Sequence, residues 1–141
     1  MTLTNIVLLS IHNFLRWVVL ALFLVVLFRA YTGWRGKRSW EVVDRMLMIV
    51  LTSAIDIQLL LGLVLYLIKG NAALDKAIVM EHIPPMLLAV VVSHIGSAKT
   101  KKAEQNGEKF RQAAIWFSVA LLLILVAIPW ARSMNPFIRL F

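Results

Sequence analysis

Four long apolar runs separated by short polar segments dominate the pattern of this chain. They cover residues 6–28, 46–68, about 78–98 and 113–131. At a rise of ~1.5 Å per residue, each run is long enough to cross a hydrocarbon core of ~30 Å. A chain in lipid must satisfy its backbone hydrogen bonds within each span, so every run is predicted to be a transmembrane helix. The predicted fold is therefore an all-α integral membrane protein, a four-helix transmembrane bundle with up-down-up-down topology that forms a single domain over residues 1–141.

Composition agrees with a membrane protein and narrows its chemistry. Hydrophobic side chains make up 61% of the 141 residues and charged ones 16%, whereas soluble domains are about half apolar and about a quarter charged. The net charge of +8 does not indicate a nucleic-acid partner, because the basic residues lie between the apolar runs. The chain has no cysteine, which excludes disulfides, Cys-ligated iron–sulfur clusters and thioether-linked haem.

The distribution of basic residues predicts the orientation. Most of them follow the first and third runs: Arg29, Arg35, Lys37, Arg38, Arg45, Lys99, Lys101, Lys102, Lys109 and Arg111. By the positive-inside rule both of these connections are cytoplasmic, and both termini are then periplasmic in a bacterial inner membrane. The first run has neither a basic start nor a small-residue cleavage pattern, so we expect it to be retained as a helix.

Three histidines lie within the apolar runs, where an ionisable side chain usually faces a partner, a cofactor or a water-filled path. His12 lies about six residues, or ~9 Å, inside the first run. His82 lies at a similar depth in the third run, which enters from the same side of the membrane. These two side chains can face each other. His94 is twelve residues beyond His82, ~120° around the helix, and is not expected to join them.

Two facing histidines on rigid helices meet the requirement for axial ligation of a haem, with one imidazole nitrogen on each side of the iron. Zinc would need further ligands, and Glu81 is the only acidic residue at that depth. Non-covalent haem b held by His12 and His82 is therefore the predicted cofactor, with Met86 one helical turn beyond His82 on the same face. In the alternative interpretation, the two imidazoles only hydrogen-bond a carbonyl or each other in a packed bundle.

Pro84 and Pro85 follow His82 and disturb the third helix. Proline lacks the backbone N–H and obstructs the carbonyl four residues earlier. The helix therefore either begins at Ile83 or is kinked just below His82. A kink would free carbonyl groups beside the predicted site, whereas a start at Ile83 would leave a short span.

Two charged residues fall near the middle of predicted helices, Arg16 in the first and Asp56 in the second. A lone charge in lipid is costly, so we expect Arg16 and Asp56 to pair, with Asn13 or Gln58 as further hydrogen-bond partners. In the alternative, Arg16 holds a haem propionate, and Asp56 with Gln58 forms a proton or quinone site.

Short motifs carry a resemblance to known membrane proteins. They are HNFLRW in the first helix, DIQLLLGLVLY in the second, EHIPPMLLAVVVSHIG followed by KTKK in the third, and IPWARS after the fourth. The chain resembles the small proteins described as cytochrome b in Bacteroidetes-type bacteria. More distantly, it is similar to the small four-helix bacterial protoporphyrinogen oxidases and the copper-resistance D membrane domain. The resemblance implies a haem b-binding bundle and matches His12 and His82 to the helix-one and helix-three histidines. The oxidase motif has a lysine where this chain has Pro84, which disfavours that activity.

The function predicted from these observations is electron transfer rather than stand-alone enzyme catalysis. The chain would be a b-type cytochrome in a respiratory, quinone-linked chain, working with other membrane or periplasmic redox subunits. One alternative is a non-catalytic accessory or assembly subunit of a membrane respiratory complex, and a less favoured one is a porphyrin-oxidising enzyme. No serine is spaced from a histidine in a way that indicates a nucleophilic triad.

Overall fold

The computed structural model of the chain describes residues 3–69 and 78–130. In those ranges it contains four long helices: α1 (Leu3–Arg35), α2 (Val42–Lys69), α3 (Ile83–Lys102) and α4 (Asn106–Ala127). A π-helical turn (Ile78–His82) leads directly into α3. All four helices are long and apolar enough to span a membrane. This confirms the predicted all-α, four-helix membrane fold.

The first helix extends beyond its apolar run at both ends. Its last turn is closed by a C-terminal cap in which the N–H of Arg38 donates to the carbonyl of Gly33 at 3.2 Å. Lys37, between them in the chain, has a positive φ of 52°, as this type of cap requires. Because the cap satisfies an otherwise unpaired carbonyl, the helix can continue past the apolar residues to Arg35.

The connection from α1 to α2 is organised around Asp44, whose side chain is only 2% exposed. Its Oδ1 accepts hydrogen bonds from Arg29 Nε at 2.8 Å and Arg38 Nη2 at 3.0 Å. Its Oδ2 accepts from the backbone N–H of Glu41 at 3.0 Å. An acidic side chain that bonds back to the N–H three residues earlier caps the start of a helix. Asp44 therefore fixes both the beginning of α2 and its position against the end of α1.

The core lies where α4 packs against α1 and α3. The apolar window of α4 is 39% buried, compared with 17% for that of α1, which makes α4 the most enclosed helix. Phe23 of α1 and Phe117 of α4 meet edge to face, with ring centres 6.3 Å apart. The outer surfaces carry large apolar side chains such as Phe28 (70% exposed) and Leu122 (62% exposed). A bilayer would cover these surfaces.

Helices α3 and α4 approach closely because the buried face of α3 is made of small residues. These are Ala89, Ser93, Gly96, Ser97 and Thr100, together with Val92. A Cβ atom placed on Gly96 would lie 2.5 Å from the Cβ of Trp116. Small residues are a common means of close helix packing in membranes.

Gly96→Ala is therefore expected to destabilise the bundle by about 1–3 kcal/mol, because the added methyl forces α3 away from α4. Gly107→Ala is the matched control, since nothing lies within 4 Å of a Cβ at Gly107 in the first turn of α4. That change should leave stability unchanged or raise it slightly, as alanine favours helix. Thermal unfolding of both variants in mild detergent measures the difference. Equal stabilities would contradict the close packing at Gly96.

Candidate functional site

The structure brings His12 of α1 and His82 together, as their depths in the sequence predict. The two ring centres are 6.4 Å apart, and the ring planes are inclined at 77°. His12 lies nine residues after the start of α1, and His82 is the last residue of the π-helical turn. Both side chains are partly buried in the bundle. They form the centre of the candidate site, which we call the histidine pair.

The π-helical turn explains how the chain accommodates Pro84 and Pro85. Both prolines lie in the first turn of α3, where backbone N–H groups have no partner within the helix and their loss is tolerated. The regular α-helix thus begins at Ile83, one of the two predicted outcomes. The preceding turn nevertheless lengthens the apolar span to Val79–Lys102, so it is not short. Single π-helical turns are frequently found at functional sites.

The ring of His82 is oriented by the end of α4. Its Nδ1 lies 2.9 Å from the carbonyl oxygen of Ala127, the last residue of that helix. A carbonyl oxygen can only accept, so Nδ1 carries the proton and donates it. The lone pair of the neutral ring is then on Nε2. A histidine that ligates a metal typically donates its other N–H to a carbonyl in this way.

The ring of His12 lies against α2 at a glycine. A Cβ on Gly62 would be 3.3 Å from Cε1 of His12, so a larger residue there would press on the ring. One turn earlier on α2, Gln58 donates through Nε2 to the backbone carbonyl of His12 at 2.9 Å. The Nδ1 atom of His12 is buried and has no hydrogen-bond partner among the described residues. A buried ring nitrogen in this state is open to a water molecule, an ion or a ligand.

Arg16 belongs to the same cluster. It follows His12 by one helical turn and is only 8% exposed, with its guanidinium carbon 5.5 Å from the ring centre of Trp17. Its positive charge lies on the same face of α1 as His12. The cluster therefore suits an anionic group beside the two rings.

The predicted pairing of Arg16 with Asp56 is wrong. Asp56 Oδ1 instead accepts a hydrogen bond from Nε2 of His94 at 2.9 Å, and no Arg16–Asp56 ion pair occurs within residues 3–69. Arg16 is turned into the bundle, whereas the Asp56 side chain is 42% exposed on its outer surface. Two side chains at equal depth face each other only if both helices are rotated to point them toward each other, and depth alone does not specify that rotation.

Gln58 is also separated from Asp56, although the sequence suggested that they act together. Residues two positions apart on an α-helix are rotated by ~200° and so point to nearly opposite sides. Gln58 therefore joins the histidine pair through the carbonyl of His12, while Asp56 joins His94. Met86 lies one turn beyond His82 and packs against the hydrophobic core, and Glu81 is exposed.

Comparison with known proteins adds nothing to this geometry. No protein-family model, curated protein or solved structure matches the chain. The resemblance to small cytochrome b-like proteins therefore stays a prediction.

Three features of the site were not predicted from the sequence: the roles of the Ala127 carbonyl, Gly62 and Gln58. A sequence signal exists for each of them. Gln58 and Gly62 are four residues apart, and residues at that spacing lie on one face of a helix. For Ala127, Pro129 indicates that α4 ends nearby, where carbonyl groups are left without helical partners.

Proposed function

We propose that this chain is a b-type cytochrome-like membrane protein that binds haem b non-covalently between α1 and α3. His12 and His82 would be the two axial ligands of the iron. The observation that carries the proposal is the histidine pair itself, with ring centres 6.4 Å apart and the tautomer of His82 fixed by the Ala127 carbonyl.

The separation of the rings fits this role. A ligating imidazole nitrogen lies ~2 Å from its metal and the ring centre lies about 1 Å further back, so two rings on opposite sides of one ion have centres ~6 Å apart. A porphyrin supplies the other nitrogen ligands of the iron, and two histidines are then sufficient. Among the described residues no group of three or more His, Asp or Glu side chains could hold a bare metal ion. This favours haem over zinc.

The surrounding residues support the same proposal. Haem supplies one-electron redox chemistry at its iron when bound. The carbonyl of Ala127 orients His82 and raises the basicity of the ring, and Gln58 anchors α1 beside His12. Arg16 places a positive charge beside the pair, which suits a propionate group and favours the arrival of an electron in a low-dielectric interior.

The charge distribution supports a bacterial inner membrane as the cellular setting. The connections after α1 and α3 carry most of the basic residues and would face the cytoplasm of a bacterial inner membrane. Both termini would then be periplasmic, and the histidine pair would lie toward the periplasmic side. In this position the protein would relay electrons between the quinone pool and a membrane or periplasmic redox subunit of a respiratory chain.

The test is the pigment of the purified protein. Protein isolated in mild detergent from haem-replete cells should show a reduced-minus-oxidised absorbance spectrum of low-spin b-type haem. Acid–acetone should extract the haem, because no cysteine is present to bind it covalently. Protein from cells starved of haem precursor is the matched control and should be colourless. A colourless preparation from haem-replete cells would contradict the proposal and favour an accessory subunit.

A further inference from the structure

His94 and Asp56 form a hydrogen-bonded pair that the proposed haem site does not use. Asp56 comes from α2 and His94 from α3, and their side chains meet at 2.9 Å. Their side chains are 42% and 54% exposed, so the pair lies on the outer surface of the bundle. Within the described chain, neither residue has another side-chain hydrogen bond.

Asp56 is far from both ends of its helix, whereas His94 lies eight residues, or ~12 Å, before Lys102 at the end of α3. Asp56 lies at the middle of α2 (Val42–Lys69), with ~20 Å of helix on either side. Side chains exposed at this depth face hydrocarbon rather than water. A polar pair there is costly and usually has a function.

The surrounding surface does not resemble a helix-packing interface. The large exposed neighbours of the pair are aliphatic, namely Ile57 (51% exposed), Leu60 (60%), Val91 (53%) and Ile95 (39%), and the small residues Ser53 and Ala98 are exposed about one turn away. Helices that associate in membranes use small residues at their contacts. Most small residues of α3 are already turned inward, on the side where Gly96 packs against α4, and Ala98 is the exposed one. This surface therefore suits a flexible aliphatic chain better than a second helix.

We propose that the His94–Asp56 pair binds the head group of an isoprenoid quinone or quinol that enters sideways from the bilayer. The aliphatic tail would lie along Leu60, Val91 and their exposed neighbours. The second carboxylate oxygen of Asp56 can accept a hydrogen bond from a quinol hydroxyl. His94 uses Nε2 for Asp56, and its Nδ1 can accept from a quinol when neutral or donate to a quinone carbonyl when protonated.

This inference rests on the proposed function. An electron carrier in a quinone-linked chain needs a binding site for the quinone, and the His94–Asp56 pair would supply it. The two sites are close. Asp56 is six residues, or ~9 Å along α2, from Gly62, the residue against which the ring of His12 lies.

The experiment measures binding of the reduced probes decylubiquinol and a short-tailed menaquinol to the protein in lipid nanodiscs under anaerobic conditions. Wild-type protein should bind one of these probes saturably. His94→Leu and Asp56→Asn should each weaken quinol binding by about tenfold or more. Leucine removes the ring nitrogen, and asparagine replaces the second carboxylate oxygen, the acceptor for the quinol hydroxyl, with an NH2 group that can only donate. Ser118→Ala is the matched control. It removes an exposed side-chain hydrogen bond of 3.0 Å to Tyr31, between α1 and α4, and should leave the affinity unchanged.

No saturable binding to wild-type protein, or equal binding by wild type and both variants, would overturn the inference. So would a homodimer that both variants disrupt while no quinone binds, because the surface would then be a contact between two copies. If a single variant fails to fold, the neutral double variant His94→Gln with Asp56→Asn replaces it and should also bind more weakly.

Haem content measured on the same samples separates the two proposals. Haem-free protein that binds quinone through this pair would reject the haem site and keep the quinone site. Haem-loaded protein that binds no quinone would reject the quinone site alone.

Discussion

His12→Ala and His82→Ala are each expected to abolish the low-spin haem spectrum. Either change removes one of the two rings that face each other at 6.4 Å, and a single histidine cannot hold the iron from both sides. The haem content of purified protein should fall at least about tenfold, since each ligand also fixes the position of the macrocycle. Absorbance spectra and acid–acetone extraction of equal amounts of folded protein measure the loss.

His94→Ala is the matched control for these two variants. His94 bonds to Asp56 on the outer surface and does not contact the histidine pair, so its removal should leave the haem spectrum intact. Loss of haem from His94→Ala as well would contradict the assignment of axial ligands. Retention of a low-spin spectrum by His82→Ala would do the same.

Asp44→Ala is expected to destabilise the protein by about 3–5 kcal/mol, because it leaves two arginines without their buried carboxylate. Arg29 and Arg38 both bond to Oδ1 of Asp44, whose side chain is 2% exposed. The same change removes the acceptor for the N–H of Glu41 at the start of α2. Thermal or denaturant unfolding in mild detergent, followed by circular dichroism, measures the effect.

Glu41→Ala is the control for that prediction. Glu41 contacts the same two arginines at 3.7 and 4.0 Å, but its side chain is 57% exposed. Exposed ion pairs contribute at most about 1 kcal/mol, so the loss should be far smaller than for Asp44→Ala. Similar losses in the two variants would show that burial of Asp44 is not what holds α1 and α2 together.

The number of helices and their membrane character could be predicted because a backbone in hydrocarbon has no water to bond and must form its hydrogen bonds within the protein. Each apolar run had to satisfy its own hydrogen bonds, and the first three are observed within helices as far as the described residues extend. The fourth run, 113–131, is wrong at its end, because α4 stops at Ala127, before Pro129. The ends were harder to predict. The start of α3 depends on how the backbone avoids two adjacent prolines, and the observed π-helical turn is not encoded in hydropathy.

The contacts of the site were predictable only in part. Depth along the helices was enough to bring His12 and His82 together, because both lie at similar distances from the same side. It failed for Arg16 and Asp56, since depth does not specify how a helix is rotated about its axis. The Arg16 side chain points into the bundle, whereas the Asp56 side chain points outward and accepts a hydrogen bond from His94.

A backbone atom completes the histidine pair, and residue types carry little information about it. The Ala127 carbonyl acts through its position at the end of α4, and any residue there would supply the same oxygen. Only the following Ile128–Pro129 sequence hints at it, because a residue before proline favours an extended backbone, as Ile128 shows with ψ 124°.

Electron–nuclear double resonance of the ferric protein labelled with ¹⁵N-histidine tests the central claim most directly. It detects the histidine nitrogens bound to the iron without relying on a variant that loses its cofactor. The histidine pair predicts strong coupling to two histidine nitrogens in wild-type protein, and the same two in His94→Ala. Strong coupling to one histidine nitrogen or to none would contradict axial ligation by His12 and His82.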